Sequence, residues 1–346
     1  MRSKILMALL ALVLVAVPLS AACAAPSPTP PEEVITLTFA HFPPAPTFPC
    51  VSMEDWADKV EARTNGKVKI DTFPGGTLLG VPAMFDGVKE GVADIGCSCL
   101  SYEPGRFPLM LGMEKPLPVR FPNSEVASRV LWQAYQEFQP AELADWKVIT
   151  MYNAGPNHIV TIDPVNTLAD LKGLELRATG AVVPIMSTLG ASPVGLPQSE
   201  VPEALAKGVV KGYVSSLETI LDFKYAETCH YATDWSPSIG ALFAVVMNKD
   251  TWNSLPKDVQ EVIDDLALEQ SMWTGAYMDS HTLEAIDWAE KEHAFEIVTI
   301  SPGEKAKWDA LVMPLVDDYL ADMAAKGLPG EEYLDRIQEL CEKYSK

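Results

Sequence analysis

The stretch Val34-Ile35-Thr36-Leu37-Thr38-Phe39-Ala40 is rich in β-branched and aromatic residues and predicts a strand that ends in a proline-rich loop from His41 to Cys50. Ser52 with Asp55 three residues on has the form of a capping box. Met53, Trp56, Ala57 and Val60 then recur at helical spacing until Asn65-Gly66 stops the helix. A second strand follows over Val68 to Phe73, Pro74-Gly75-Gly76 turns the chain, and a helix is expected around Pro82 to Glu90. Gly91-Val92-Ala93-Asp94-Ile95-Gly96 leads into a third strand. Strand and helix in alternation dictate an α/β fold, with a largely parallel sheet covered on both faces.

Working outward, the same junction recurs. Val88-Lys89-Glu90-Gly91-Val92-Ala93-Asp94 is echoed by Leu205-Ala206-Lys207-Gly208-Val209-Val210-Lys211, each with a glycine closing a helix before a strand. Two units of similar build suit two lobes. Ligands of open α/β sheets bind beyond the carboxyl ends of the strands, so the segments Cys97 to Tyr102 and Tyr213 to Leu217 become candidate site walls. From Pro256 to about His293 the pattern is continuously helical and free of proline, which predicts one long helix running behind both lobes. A last amphipathic pattern runs from Trp308 through Leu320 to Gly327, with a short helix after it.

The N-terminus places the protein outside the cytoplasm. Met1-Arg2-Ser3-Lys4, the apolar run Ile5 to Val17 and the small residues Ser20-Ala21-Ala22-Cys23-Ala24 have the layout of a secretory signal. Cys23 fits the lipid-modified first residue of a lipoprotein, although Leu19 stands one place early for that motif; cleavage after Ala24 or Ala25 would instead release the protein. The expected division is a signal over 1–23, a proline-rich tether over 24–33, one lobe from 34–155 plus about 243–275, and a second from 156–242 plus about 276–346. Apolar residues make up 48% of the chain, enough for two cores, and the formal net charge of −21 with no basic run excludes nucleic acid as a partner. Besides Cys23, the cysteines are Cys50, Cys97, Cys99, Cys229 and Cys341, an odd number whose pairing sequence does not fix. A disulfide from Cys50 to Cys97 or Cys99 is favoured over a metal site built with His41, because Cys97-Ser98-Cys99 is too tightly spaced for zinc.

Arg177 ends the segment Asp170-Leu171-Lys172-Gly173-Leu174-Glu175-Leu176-Arg177, and a guanidinium can grip a carboxylate with two parallel hydrogen bonds. Together with Phe73-Pro74-Gly75-Gly76, Gly91 to Gly96, Leu189-Gly190-Ala191-Ser192-Pro193-Val194, Ser199-Glu200-Val201, Met247-Asn248-Lys249 and Ser254-Leu255-Pro256, this segment resembles the solute-binding subunits of TRAP (tripartite ATP-independent periplasmic) transporters, dicarboxylate-binding (DctP) type. The likeness runs in order from about Val34 to the C-terminus. It implies a two-lobed periplasmic binding protein that closes on an organic acid and delivers it to membrane permease subunits, with Arg177 as the carboxylate clamp. This chain departs from the family's Gln-Glu-Asn-Pro, having Tyr213-Val214-Ser215-Ser216, and has Asn157 and His158 where sugar-acid binders carry a second arginine. A monocarboxylate, aromatic or branched, is therefore expected rather than a dicarboxylate. The expected binding residues are Arg177, Tyr213, Ser215, Asn157, Tyr102, Cys97, Trp235 and Phe48.

No hydrolase elbow, zinc-protease motif, phosphate loop or dinucleotide fingerprint occurs, so no cofactor and no metal is expected. A receptor for an ATP-driven importer or a chemosensory system shares the two-lobe architecture and is the alternative. An enzyme using His158 or His230 as a base ranks below it. The membrane is expected as a partner only through the permease and a lipid on Cys23.

Overall fold

The structure is a computed structural model that describes residues 34–180 and 182–346; the signal and tether expected before Val34 lie outside the described residues. The first half runs β1 (Ile35–His41), α1 (Phe48–Arg63), β2 (Val68–Phe73), α2 (Met84–Lys89), β3 (Ile95–Cys99), α3 (Ser124–Phe138) and β4 (Lys147–Asn153). Next come β5 (His158–Thr161), α4 (Leu168–Leu171), β6 (Glu175–Ala178), α5 (Val182–Thr188), β7 (Ser192–Gly195), α6 (Val201–Ala206), β8 (Gly212–Ser215), α7 (Thr219–Asp222) and β9 (Tyr231–Thr233). The chain ends with β10 (Leu242–Met247), α8 (Lys249–Ser254), α9 (Lys257–His293), β11 (Glu296–Val298), α10 (Pro302–Val312), α11 (Pro314–Lys326) and α12 (Gly330–Tyr344).

These strands form two sheets, in the orders β2-β1-β3-β10-β4 and β11-β9-β5-β8-β6-β7. In the first, β1 pairs in parallel with β2 and β3, as the alternation predicts, but β10 returns from far along the chain and enters antiparallel between β3 and β4. Each sheet buries its own apolar clusters, so the α/β fold has two lobes. The glycine echo is real: Gly91 and Gly208 both adopt positive φ, 79° and 68°, after α2 and α6, where a side chain would be strained.

The chain crosses between the sheets side by side at 154–157 and 238–241. Ala154 N donates to Ala241 O at 3.0 Å, Asn157 N to Ser238 O at 3.1 Å, and Asn153 Nδ2 to Gly240 O at 2.8 Å. The long helix α9 is the third connection. Its 37 residues bury Val259, Ile263 and Leu266 in the first core and Ala285 and Ala289 in the second lobe, matching the expected spine.

Three local expectations differ from the structure. Helix α1 begins at Phe48, not at Ser52, because Pro49 occupies its first turn. Ser52 is buried inside the helix, 2.6 Å from Thr274 Oγ1 on α9, so its hydroxyl serves helix packing and not a cap. Pro314 divides the last amphipathic pattern into α10 and α11. The C-terminal helix α12, expected with the second lobe, buries Tyr333, Ile337 and Leu340 in the first lobe's core.

Candidate functional site

A cavity lies between the two lobes, at the carboxyl ends of β3 and β8. The ends of these strands and the turns that follow supply the walls. Cys99, Ser101 and Tyr102 come from the first lobe, and Ser215, Ser216, Glu218 and Thr219 from the second. Ala154, Asn157 and Ala241 form the floor at the crossing strands.

Arg177 ends up inside this cavity, 3% exposed. Its place follows from β6, which pairs in parallel with β8 and β7 and opposes Arg177 to Tyr213 and Val194. Nε donates to Leu196 O at 2.8 Å and Nη2 to the Tyr102 hydroxyl at 3.4 Å, while Nη1 has no bond to a described residue. Among the described residues no carboxylate forms an ion pair with this guanidinium. A desolvated cation without an anion is costly, which makes the cavity a place where an anion is favoured. The Tyr102 oxygen also accepts from Gln198 N at 3.2 Å, so its own proton remains free to be donated. Burial foremost pushes that phenol up to about 12, so it stays neutral.

The opposite wall is aromatic. Phe42 and Phe243 stack with rings nearly parallel at 6.4 Å, Phe48 meets Phe243 edge-on at 5.7 Å, and Tyr102 meets Phe42 edge-on at 5.3 Å. Flat walls of this kind suit an apolar ring or branched body. Behind them His41 is fully buried, and burial holds its imidazole neutral, down to about 3.

A charged cluster sits at the second lobe's edge. Asp222 accepts from Phe48 N at 3.0 Å through Oδ2 and lies 2.7 Å from His281 Nε2 through Oδ1. One carboxylate thus joins α7, the N-terminus of α1 and the spine helix α9. The hydrogen bond to Asp222 raises His281 above its ordinary range. Burial, aided by the charge of Asp222, pushes neighbouring Glu218 up to about 8.

Of the eight residues expected at the site, Arg177, Ser215, Asn157, Tyr102 and Phe48 line the cavity. Asn157 does so with its Nδ2 committed to Ser238 Oγ and Ile239 O, both at 3.1 Å, which leaves only its carbonyl for a ligand. Three others lie elsewhere. Tyr213 is buried one layer behind, packed on Tyr225 with ring centres 4.6 Å apart and its hydroxyl 3.3 Å from Thr219. Cys97 lies deeper on β3, with Sγ 3.2 Å from the Tyr152 hydroxyl. Trp235 packs edge-on against Trp308 and donates to Asp309 at 2.9 Å. The five cysteines of the described residues are buried free thiols, so the favoured disulfide from Cys50 is absent; Cys50 Sγ instead donates to Pro43 O at 3.1 Å. His158 and His230, the candidate bases, turn Nδ1 toward the carbonyls of Pro156 and His293 and do not line the cavity.

Sequence reasoning did not find Phe42, Phe243, Gln198, Glu218 or Asp222. Only Phe42 carried a usable signal, lying in the loop already singled out. The others arrive from strands and turns whose facing is set by tertiary packing.

A two-lobed α/β chain with a cavity at the interlobe crossing and a buried guanidinium in it is the architecture of a solute receptor. The chain belongs to the bacterial extracellular solute-binding protein family 7 (DctP), whose pattern matches residues 39–322. It is thus the binding subunit of a TRAP transporter and not an enzyme. A TRAP periplasmic solute-binding protein from Desulfovibrio salexigens, crystallised open with the C-terminus of a symmetry mate in its ligand-binding site, is 46% identical; the match covers 90% of this chain and 97% of that one, with a TM-score of 0.81. A marine metagenome TRAP protein specific for aromatic acid ligands, in complex with metahydroxyphenylacetate, is 32% identical over 90% of this chain and 100% of its own, with a TM-score of 0.84. A Rhodoferax ferrireducens protein in complex with copurified benzoate is 29% identical over 90% and 99%, with a TM-score of 0.84. No helix among the described residues is long and apolar enough to cross a membrane.

Proposed function

We propose that this chain captures a small monocarboxylic acid with an aromatic or branched body, holds its carboxylate on Arg177 and delivers it to the membrane permease. One observation carries the reading: the cavity contains a buried arginine, oriented by Leu196 and Tyr102, with no acidic partner among the described residues of a strongly acidic chain. The Phe42, Phe48 and Phe243 wall supports an apolar ligand body. So do the relatives that bind aromatic acids. Capture closes the two lobes about the strands at 154–157 and 238–241, and the mature protein is held at the membrane by a lipid on Cys23, which its intact mass tests.

The experiment is a thermal-shift screen of aromatic, branched and dicarboxylic acids. A ligand at a hundred times its Kd stabilises by about 2.7 kcal/mol, which stands out from the background. Aromatic or branched monocarboxylates are expected to raise Tm. A screen in which only dicarboxylates do so refutes the proposal.

A further inference from the structure

The carboxylate contact leaves two polar atoms of the cavity wall unexplained. Gln198 is pinned through its backbone, with N donating to Tyr102 Oη at 3.2 Å and O accepting from the Tyr225 hydroxyl at 2.7 Å. Its side-chain Nε2 is buried with no partner among the described residues. Glu218, 2% exposed, spends Oε1 on the Ser216 hydroxyl at 2.8 Å, and its Oε2 is likewise buried with no partner among the described residues. Both residues line the cavity. A buried donor or acceptor left unmade is unfavourable, and both of these belong to residues lining the one cavity, where a ligand atom can complete them.

The surroundings choose the kind of atom. Asp222 already spends both oxygens, on Phe48 N and His281, and its charge adds to burial in keeping the Glu218 carboxyl protonated at neutral pH. A neutral carboxyl both donates and accepts, and therefore matches an uncharged oxygen better than an ammonium group.

We propose that Glu218 and Gln198 form a second subsite that takes a hydroxyl or carbonyl oxygen on the ligand body, so that the preferred ligands are monocarboxylic acids carrying such a group away from the carboxylate. The inference rests on the carboxylate being held at Arg177. Glu218 and Gln198 then decide between ligands that Arg177 cannot tell apart.

Calorimetric titration of the full mature chain with benzoate, its three monohydroxy isomers and 3-(aminomethyl)benzoate tests this. At least one hydroxy isomer is expected to bind about tenfold or more tightly than benzoate, because a site built for a hydroxyl penalises its absence. Glu218→Leu is expected to erase that preference, and Glu218→Gln to restore part of it. Gln198→Leu, a second and independent variant, lowers the same preference. Equal binding of benzoate and all three isomers overturns the subsite alone, as does a preference that survives both leucine variants. Tighter binding of 3-(aminomethyl)benzoate than of any hydroxy isomer overturns the neutral-oxygen assignment. Binding of none of the five acids overturns the subsite together with the aromatic-acid reading.

Discussion

Replacing Arg177 by alanine removes the one cation of the cavity wall among the described residues, and its effect can be worked from the geometry. Nε is fixed on Leu196 O at 2.8 Å and Nη2 lies 3.4 Å from Tyr102 Oη, so the guanidinium meets a ligand already oriented, with little rotamer entropy left to lose. Truncating one partner of a buried charge pair costs about 2–5 kcal/mol, so Kd should rise roughly thirtyfold to several thousandfold. Arg177→Lys keeps the charge but loses the two-pronged geometry and the Leu196 anchor, and should fall between wild type and alanine. Titration calorimetry with the best acid from the thermal screen measures both values, and apo melting curves recorded alongside separate lost binding from lost folding. A folded alanine variant with affinity within about threefold of wild type would refute the clamp.

Other consequences follow from the same packing. Glu218 titrates near 8 when folded against an ordinary 4.5, so the unfolded chain releases its proton first and stability should decline as pH rises between those values; Glu218→Gln should flatten that part of a Tm-against-pH curve. His281 is also raised, by Asp222, and adds a loss of stability as pH climbs above its ordinary 6.5; His281→Gln should remove this part in the same scan. A Cβ at Gly275 on α9 would sit 2.6 Å from Glu125 Cα and Ser124 O, backbone held in place by Asp279 through Ser124 N and Glu125 N, so Gly275→Ala should cost about 1–3 kcal/mol in denaturant melts. The thiols of Cys50, Cys97, Cys99, Cys229 and Cys341 should resist a disulfide-exchange reagent in the native state and react on unfolding, and fast native labelling would contradict their burial.

Periodicity and punctuation are local properties, and what depends on them was legible. The strand-helix alternation from Val34, the paired helix-ending glycines Gly91 and Gly208, and the long proline-free helix to His293 all appear where the sequence places them. Arg177 was legible for a similar reason: it ends a short strand beside a family motif, and the carboxyl ends of strands in such sheets face a ligand crevice.

Which side chains share that crevice is a different kind of fact. On β3 the cavity opens only at Cys99, leaving Cys97 one layer down with Tyr152, and on β8 it opens at Val214 and Ser215, leaving Tyr213 behind Thr219. Phe243 reaches the wall because β10 inserts antiparallel beside β3, a long-range pairing no local pattern encodes. Asp222 meets Phe48 and His281 only when three distant elements converge. The order of elements and the position of Arg177 near the end of β6 were set by neighbouring residues along the chain. The cavity's lining was set by packing between residues far apart in the chain, from 59 positions for Asp222 and His281 to 174 for Phe48 and Asp222, because a strand's facing and a turn's depth depend on what covers them.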